Sequence, residues 1–146
     1  MVMREQILTA LGIVQTPDPL QLSALTLAYL GDTVYDLYVR THLVSTMDGT
    51  VHALHLASAK LVCAKGQAAA AYRILPLLTE EETAAFKRGR NAHSGTVPKN
   101  ADVQEYRVAT GLEALLGFLF CKGQDARIGC LMATALQEKS SDHGKE

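Results

Sequence analysis

Little in this chain marks a secreted, membrane-bound or metal-knuckle protein. Its 146 residues include three cysteines, Cys63, Cys121 and Cys130. Their number is odd and none forms a Cys-x-x-Cys pair, so neither a disulfide framework nor a zinc site is indicated. Each reads as a small hydrophobe in apolar surroundings. Long hydrophobic runs are missing too: Met1-Val2-Met3-Arg4-Glu5 leads into no signal-type stretch, and a charge interrupts every apolar run before membrane-spanning length. The expected location is the cytoplasm, with no membrane partner. Neither sign of charge dominates, since 14 Lys and Arg face 15 Asp and Glu for a net charge of -1. A chain basic all over is thereby excluded, and a polyanionic partner would need a local basic cluster. His52 and His55 stand one helical turn apart but lack a third ligand at a recognisable spacing, so they read as a solvated face. No segment alternates polar and apolar residues with period two, which excludes an ordinary sheet.

What remains is helix. Hydrophobic residues make up 48% of the chain and charged residues 20%, an ordinary globular balance for one domain. Asp18-Pro19 predicts a helix start, and apolar residues recur at helical spacing all round from Leu20 to about Leu43, which predicts a central helix. Met47-Asp48-Gly49-Thr50 breaks it. An alanine-rich helix is expected from about Val51 to Leu75, unbroken at Gly66 and ending at Pro76. Thr79-Glu80-Glu81-Glu82 is a capping box that opens a short helix with Lys87, Arg88 and Arg90 at its far end, where the helix dipole favours positive charge. A polar loop from Asn91 to Pro98 follows. Asn100 or Asp102 then caps a second strongly apolar helix that stops at Lys122-Gly123. A last helix is expected over about Ala126–Lys139. The fold class is all-α: one compact helical domain over residues 1–140, with a frayed tail at 141–146.

Each of the two most apolar stretches carries an acid. Asp32 lies within Leu25–Tyr35, and Glu113 lies within Gly111–Phe120. Both stretches read as helices that a globular core would bury, and an unpaired carboxylate there costs several kcal/mol, which is comparable with a domain's whole stability margin. Leu25, Ala28, Tyr29, Asp32, Asp36 and Val39 share one helix face; Tyr106, Thr110, Glu113 and Gly117 share another. Gly31 and Gly117 would let a second helix approach beside each acid, bringing the two acids together as in bundle-core metal sites. Two carboxylates completed by waters suit Mg²⁺, and such an ion can activate water and stabilise charge on a phosphodiester. Spacing alone leaves two structural readings open: Asp32 capping a break at Gly31, and Glu113 paired with Arg107 or Arg40. Asp36 reads as a rim residue. Lys87, Arg88, Arg90, Lys99 and Arg107 surround the His93–Pro98 loop just before the Glu113 helix, where a phosphate backbone would find positive charge.

Tyr29-Leu30-Gly31-Asp32-Thr33-Val34 resembles the signature helix of ribonuclease III, Glu-Phe-Leu-Gly-Asp-Ala-Val. Leu112-Glu113-Ala114-Leu115-Leu116-Gly117 resembles the family's second motif, Phe-Glu-Ala-Leu-Ile-Gly. Pro98-Lys99-Asn100-Ala101-Asp102-Val103-Gln104 reproduces a segment of the family's Mini branch, which consists of the nuclease domain alone. The resemblance covers nearly the whole chain, in order.

It implies the ribonuclease III endonuclease-domain fold and a homodimer whose two centres each cut one strand of double-stranded RNA, leaving 5′-phosphate and 3′-hydroxyl ends. By position, Asp32 and Glu113 match the catalytic, metal-binding acids. The implied cofactor is Mg²⁺, with Mn²⁺ able to substitute, and the implied substrate is bacterial precursor 23S ribosomal RNA; whether a ribosomal protein presents it is left open. The chain departs from full-length ribonuclease III at Ala28 and Thr110, where that enzyme carries further acids, so waters or substrate oxygens would complete the metal shell. The family's C-terminal double-stranded-RNA-binding domain is expected to be absent. The catalytic domain would then grip RNA through Lys87, Arg88, Arg90, His93, Ser94, Lys99 and Arg107. The alternatives are a catalytically silent RNA-binding or ribosome-assembly protein on the same fold, and a helical interaction module whose acids only pair with arginines.

Overall fold

The computed structural model describes residues 1–92, 97, 99 and 102–137. Among them every regular element is helical: α1 (Met3–Ala10), a 3₁₀ turn (Pro19–Gln21), α2 (Ala24–Thr46), α3 (Val51–Val62), α4 (Ala64–Ile74), a second 3₁₀ turn (Leu75–Leu77), α5 (Glu80–Arg90), α6 (Val103–Cys121) and α7 (Asp125–Ala135). No described helix is long and apolar enough to cross a membrane.

The centre of the molecule is α6, not α2. From Val108 to Leu119 nearly every α6 residue is buried, and α2, α4, α5 and α7 pack around it. The longer α2 buries Leu27, Ala28, Gly31, Val34, Tyr35, Val39 and Leu43 but leaves Leu25, Tyr29, Leu37 and Val44 facing outward. Its all-round apolar pattern therefore does not mean all-round burial. The fully enclosed side chains include Tyr35, Leu112, Leu115, Leu116, Phe118, Leu119, Leu131 and Met132.

Side-chain capping places most helix starts. Asp18 does not open α2; its carboxylate accepts from the Leu20 N–H and starts only the first 3₁₀ turn. Ser23, extended at φ -64° and ψ 153°, is the true cap and accepts from the Thr26 N–H at 3.0 Å. The alanine-rich segment is two helices, because Cys63 is extended and its Sγ accepts from the Gly66 N–H. Gly66 packs so closely on the Lys60 and Leu61 carbonyls that a side chain there would collide with both. The Thr79–Glu82 capping box is formed, and Asp102 caps α6 through the Gln104 and Glu105 N–H groups. Beyond α6, Gly123 takes φ +70°, the left-handed turn that glycine accommodates most readily. The last helix ends at Ala135, short of the expected Lys139. Residues 138–146, and with them the expected tail, lie outside the described residues. Helix α1, not foreseen from sequence, buries none of its residues and has no side-chain cap.

Two arginines lock the periphery. Arg127 of α7 donates to both Glu82 oxygens at 2.8 Å and to the Leu77 carbonyl, joining α7 to the start of α5. This pairing holds the buried Glu82 carboxyl below its usual range, with the Arg127 hydrogen bonds as the largest cause. Arg73 of α4 donates to the Ala135 carbonyl at the end of α7.

Candidate active site

The site forms where α2 crosses α6. A Cβ on Gly31 would overlap the Glu113 carbonyl, and one on Gly117 would overlap the Leu27 carbonyl. The two backbones therefore touch at this crossing, which only glycines allow. Asp32 follows Gly31 and Glu113 lies one turn before Gly117, so the crossing brings their carboxyl groups within hydrogen-bonding reach of each other.

Their environments differ. Asp32 is exposed, contrary to the expectation that a core would bury both acids, while Glu113 is partly buried. The α2 periodicity groups Asp32 with apolar neighbours but does not say which side of that wide face meets solvent. Burial chiefly, then the hydrogen bond and the charge of Asp32, push the Glu113 carboxyl up to about 8, against an opposing hydrogen bond from Gln67. Without a cation, the pair is thus held together by a proton that Glu113 retains to near-neutral pH. Neither structural alternative matches: Asp32 sits inside an unbroken α2, and Arg40 pairs with Asp36 at 3.0 Å while Arg107 is exposed.

Ala28 is buried one turn before Asp32, and the Thr110 hydroxyl donates to the Tyr106 carbonyl at 3.0 Å, so neither supplies a further acid. Among the described residues no group of three or more His, Cys, Asp or Glu is placed to hold a metal ion. His52 and His55 are exposed on α3. Cys63 and Cys130 are exposed and Cys121 partly buried, all three as free thiols, so the reading of each as a small hydrophobe in apolar surroundings does not hold for Cys63 and Cys130. Two acids forced together do nonetheless fit a divalent cation. Its charge would replace the proton they otherwise share, and its preference for oxygen donors matches the pair.

Gln67 escaped the sequence reading. It is 4% exposed on α4, and its amide meets the Glu113 carboxyl. The available signal was its place on the buried α4 stripe with Ala68, Ala70, Ala71 and Ile74, a polar residue where the spacing calls for an apolar one. Tyr35, fully buried one turn after Asp32, donates from its hydroxyl to the Leu61 carbonyl at 2.7 Å. Burial, above all, pushes that hydroxyl up to about 12.

The basic residues are arranged less uniformly than the sequence suggests. Lys87, Lys99 and Arg107 are exposed. Arg88 donates to the Leu22 carbonyl at 2.9 Å, tying α5 to the segment that leads into α2, and Arg90 donates to Asn91 at 3.3 Å. His93 and Ser94 lie outside the described residues. An open, mostly apolar groove of about 780 Å³ lies elsewhere: Tyr38, His42, Met47, Met132 and Leu136 line it. His42 is about 15 Å along α2 from Asp32.

Residues 25–124, which include both acids and the crossing, match the model of the ribonuclease III domain. The Mini-ribonuclease 3 of Thermoanaerobacter sp. (strain X514) is 47% identical over 81% of this chain and 83% of its own length. That of Clostridium tetani is 39% identical over 86% of this chain and 85% of its own. A crystal structure of a Fusobacterium nucleatum protein superposes with a TM-score of 0.72 at 29% identity, covering 81% of this chain and 94% of that one. With both acids on the matched segment and such identity across most of its length, the chain belongs to the ribonuclease III domain family, in its Mini-ribonuclease 3 branch, and is an endoribonuclease.

Proposed function

We propose that this endoribonuclease cuts double-stranded stems of precursor 23S ribosomal RNA, in the cytoplasm, as a homodimer that depends on Mg²⁺ and accepts Mn²⁺. The observation that carries the reading is the meeting of Asp32 and Glu113 at the glycine crossing of α2 and α6. These two acids would hold the cation. Bound there, it would neutralise charge building on the scissile phosphate and make water a better nucleophile. Asp32, exposed, is the acid open to an incoming substrate. Glu113 must give up the proton that burial and Asp32 keep on it before it can serve as a ligand, so metal binding and proton release are coupled. With Ala28 and Thr110 in place of further acids, the remaining coordination falls to water and RNA oxygens.

RNA would be gripped through its phosphates and 2′-hydroxyls by Lys87, Arg88, Arg90, Lys99 and Arg107, with His93 and Ser94 on the intervening loop. A second copy would double this footprint on a chain of net charge -1. Exposed Tyr29, Leu25 and Leu37 on α2 favour that helix as the contact between copies.

The test is incubation with long double-stranded RNA, with and without Mg²⁺, comparing wild type with Asp32→Asn. Metal-dependent cleavage to 5′-phosphate ends is expected for the wild type only, while Asp32→Asn stays folded and still binds RNA. Cleavage at a normal rate by Asp32→Asn would remove Asp32 from the catalytic centre. Folded wild type that never cuts long double-stranded RNA at any Mg²⁺ concentration would overturn the substrate and cofactor proposed here.

A further inference from the structure

Three polar side chains are deeply buried among the described residues: Ser58, Gln67 and Glu82. Two have structural tasks. Ser58 donates to the His55 carbonyl within its own helix, and Glu82 closes the capping box and receives Arg127. Gln67 is different, because its partner is a carboxyl of the candidate active site. Burying an amide without a partner is costly, and an aliphatic side chain on this alanine-lined stripe would avoid that cost.

The chain fixes where Gln67 stands. The Tyr35 hydroxyl, one turn from Asp32 on α2, holds the Leu61 carbonyl at 2.7 Å. Gly66 is pressed onto the Lys60 and Leu61 carbonyls, and the Cys63 Sγ caps the new helix through the Gly66 N–H at 3.4 Å. The Tyr35 bond thus ties the end of α3 to α2, α4 begins directly after the break at Cys63, and Gln67 follows Gly66 in its first turn. Helix α4 also packs along α6, which carries Glu113.

From this arrangement we propose that Gln67 is a positioning residue that holds the Glu113 carboxyl turned toward Asp32 in readiness for the cation. The inference rests on the metal-dependent reading above. A primary amide suits the task because it can donate N–H to a carboxylate or accept O–H from a carboxyl, and so keeps a partner in both states. A second carboxylate at this position would lack the donor, and an aliphatic side chain would leave Glu113 free to turn. Partners of this kind behind a metal ligand typically govern affinity by 10- to 100-fold.

The experiment measures Mn²⁺ binding to the full chain without RNA, by the loss of the free-ion paramagnetic resonance signal, alongside cleavage at varied Mg²⁺. Gln67→Met keeps length and bulk but removes the amide. It is expected to weaken Mn²⁺ binding about 10-fold or more, and to raise by a similar factor the Mg²⁺ needed for half-maximal cleavage. In a Glu113→Gln background the same substitution should change Mn²⁺ affinity no further, since its effect passes through Glu113. If Gln67→Met does not fold, Gln67→Asn, whose amide falls one methylene short, takes its place in the same cycle. Unchanged affinity in a wild type that does bind, or a loss as large with Glu113→Gln as without it, overturns the inference alone. A wild type that neither binds Mn²⁺ nor cuts takes down the metal-dependent reading and the inference together.

Discussion

Glu113 carries opposing influences that can be separated by pH. Burial and Asp32 favour the neutral carboxyl, and Gln67 favours the charged one; the first two prevail and push the group up to about 8. In the unfolded chain a glutamate releases its proton near its ordinary value, about 4.3. Between those limits the folded state holds more protons than the unfolded one, so in the presence of a chelator this residue's contribution to stability falls as pH rises. It levels off once the folded group has ionised, above about pH 8. Glu113→Gln cannot release a proton, so it should lack this slope. Urea denaturation in chelator at pH 5 to 9 should show wild type losing ground to Glu113→Gln by an amount on the order of a few kcal/mol. Taking the difference between the two proteins cancels the histidines, which titrate in both. Parallel curves would mean that Glu113 is ionised throughout.

At the scale of helices, one substitution should act with opposite signs at two places. Gly31→Ala puts a methyl group into the Glu113 carbonyl of α6, backbone against backbone, with no side chain able to turn aside. The helices must part, and overpacking of this kind costs about 1–3 kcal/mol or more. The same movement separates Asp32 from Glu113, so cleavage should fall further than stability does. Gly129→Ala in α7 meets only the Tyr38 hydroxyl at 3.8 Å, an ordinary contact. There, removing a helical glycine should stabilise by about 0.5–1 kcal/mol. Thermal unfolding of both variants, with cleavage measured on each, checks the pair; equal shifts would contradict the close crossing. Gly31 and Gly117 were legible in the sequence because glycine beside an acid in an apolar helix is hard to explain otherwise. The Thr79 capping box and the Gly123 stop were legible for a similar reason, being local chemistry. The Cys63 break was hidden, since cysteine is not among the residues favoured as caps and the close contact that requires Gly66 is tertiary. Gln67 and the exposure of Asp32 were hidden because helical spacing groups residues on a face without saying what that face meets.

The whole molecule leaves apolar surface where a lone domain has no use for it. Tyr29 is 83% exposed three residues before Asp32, and Leu25 and Leu37 lie exposed along the same helix. An apolar strip beside the acids, on a chain of balanced charge, is suited to a second copy more than to a polyanion. If the proposed dimer forms there, Tyr29→Glu should break it, since a carboxylate would have to be buried without a partner in the contact. Sedimentation or light scattering should then report a single chain of 15.7 kDa for the variant and twice that for wild type. The monomer offers one basic cluster to the duplex in place of two. The slope of log affinity against log salt counts phosphates neutralised, so it should fall to about half as RNA binding weakens. A variant that keeps the wild-type mass would place the contact elsewhere. One that becomes monomeric yet keeps the full salt slope would show that a single subunit makes all the phosphate contacts, and that Lys87, Lys99 and Arg107 of a second copy add none.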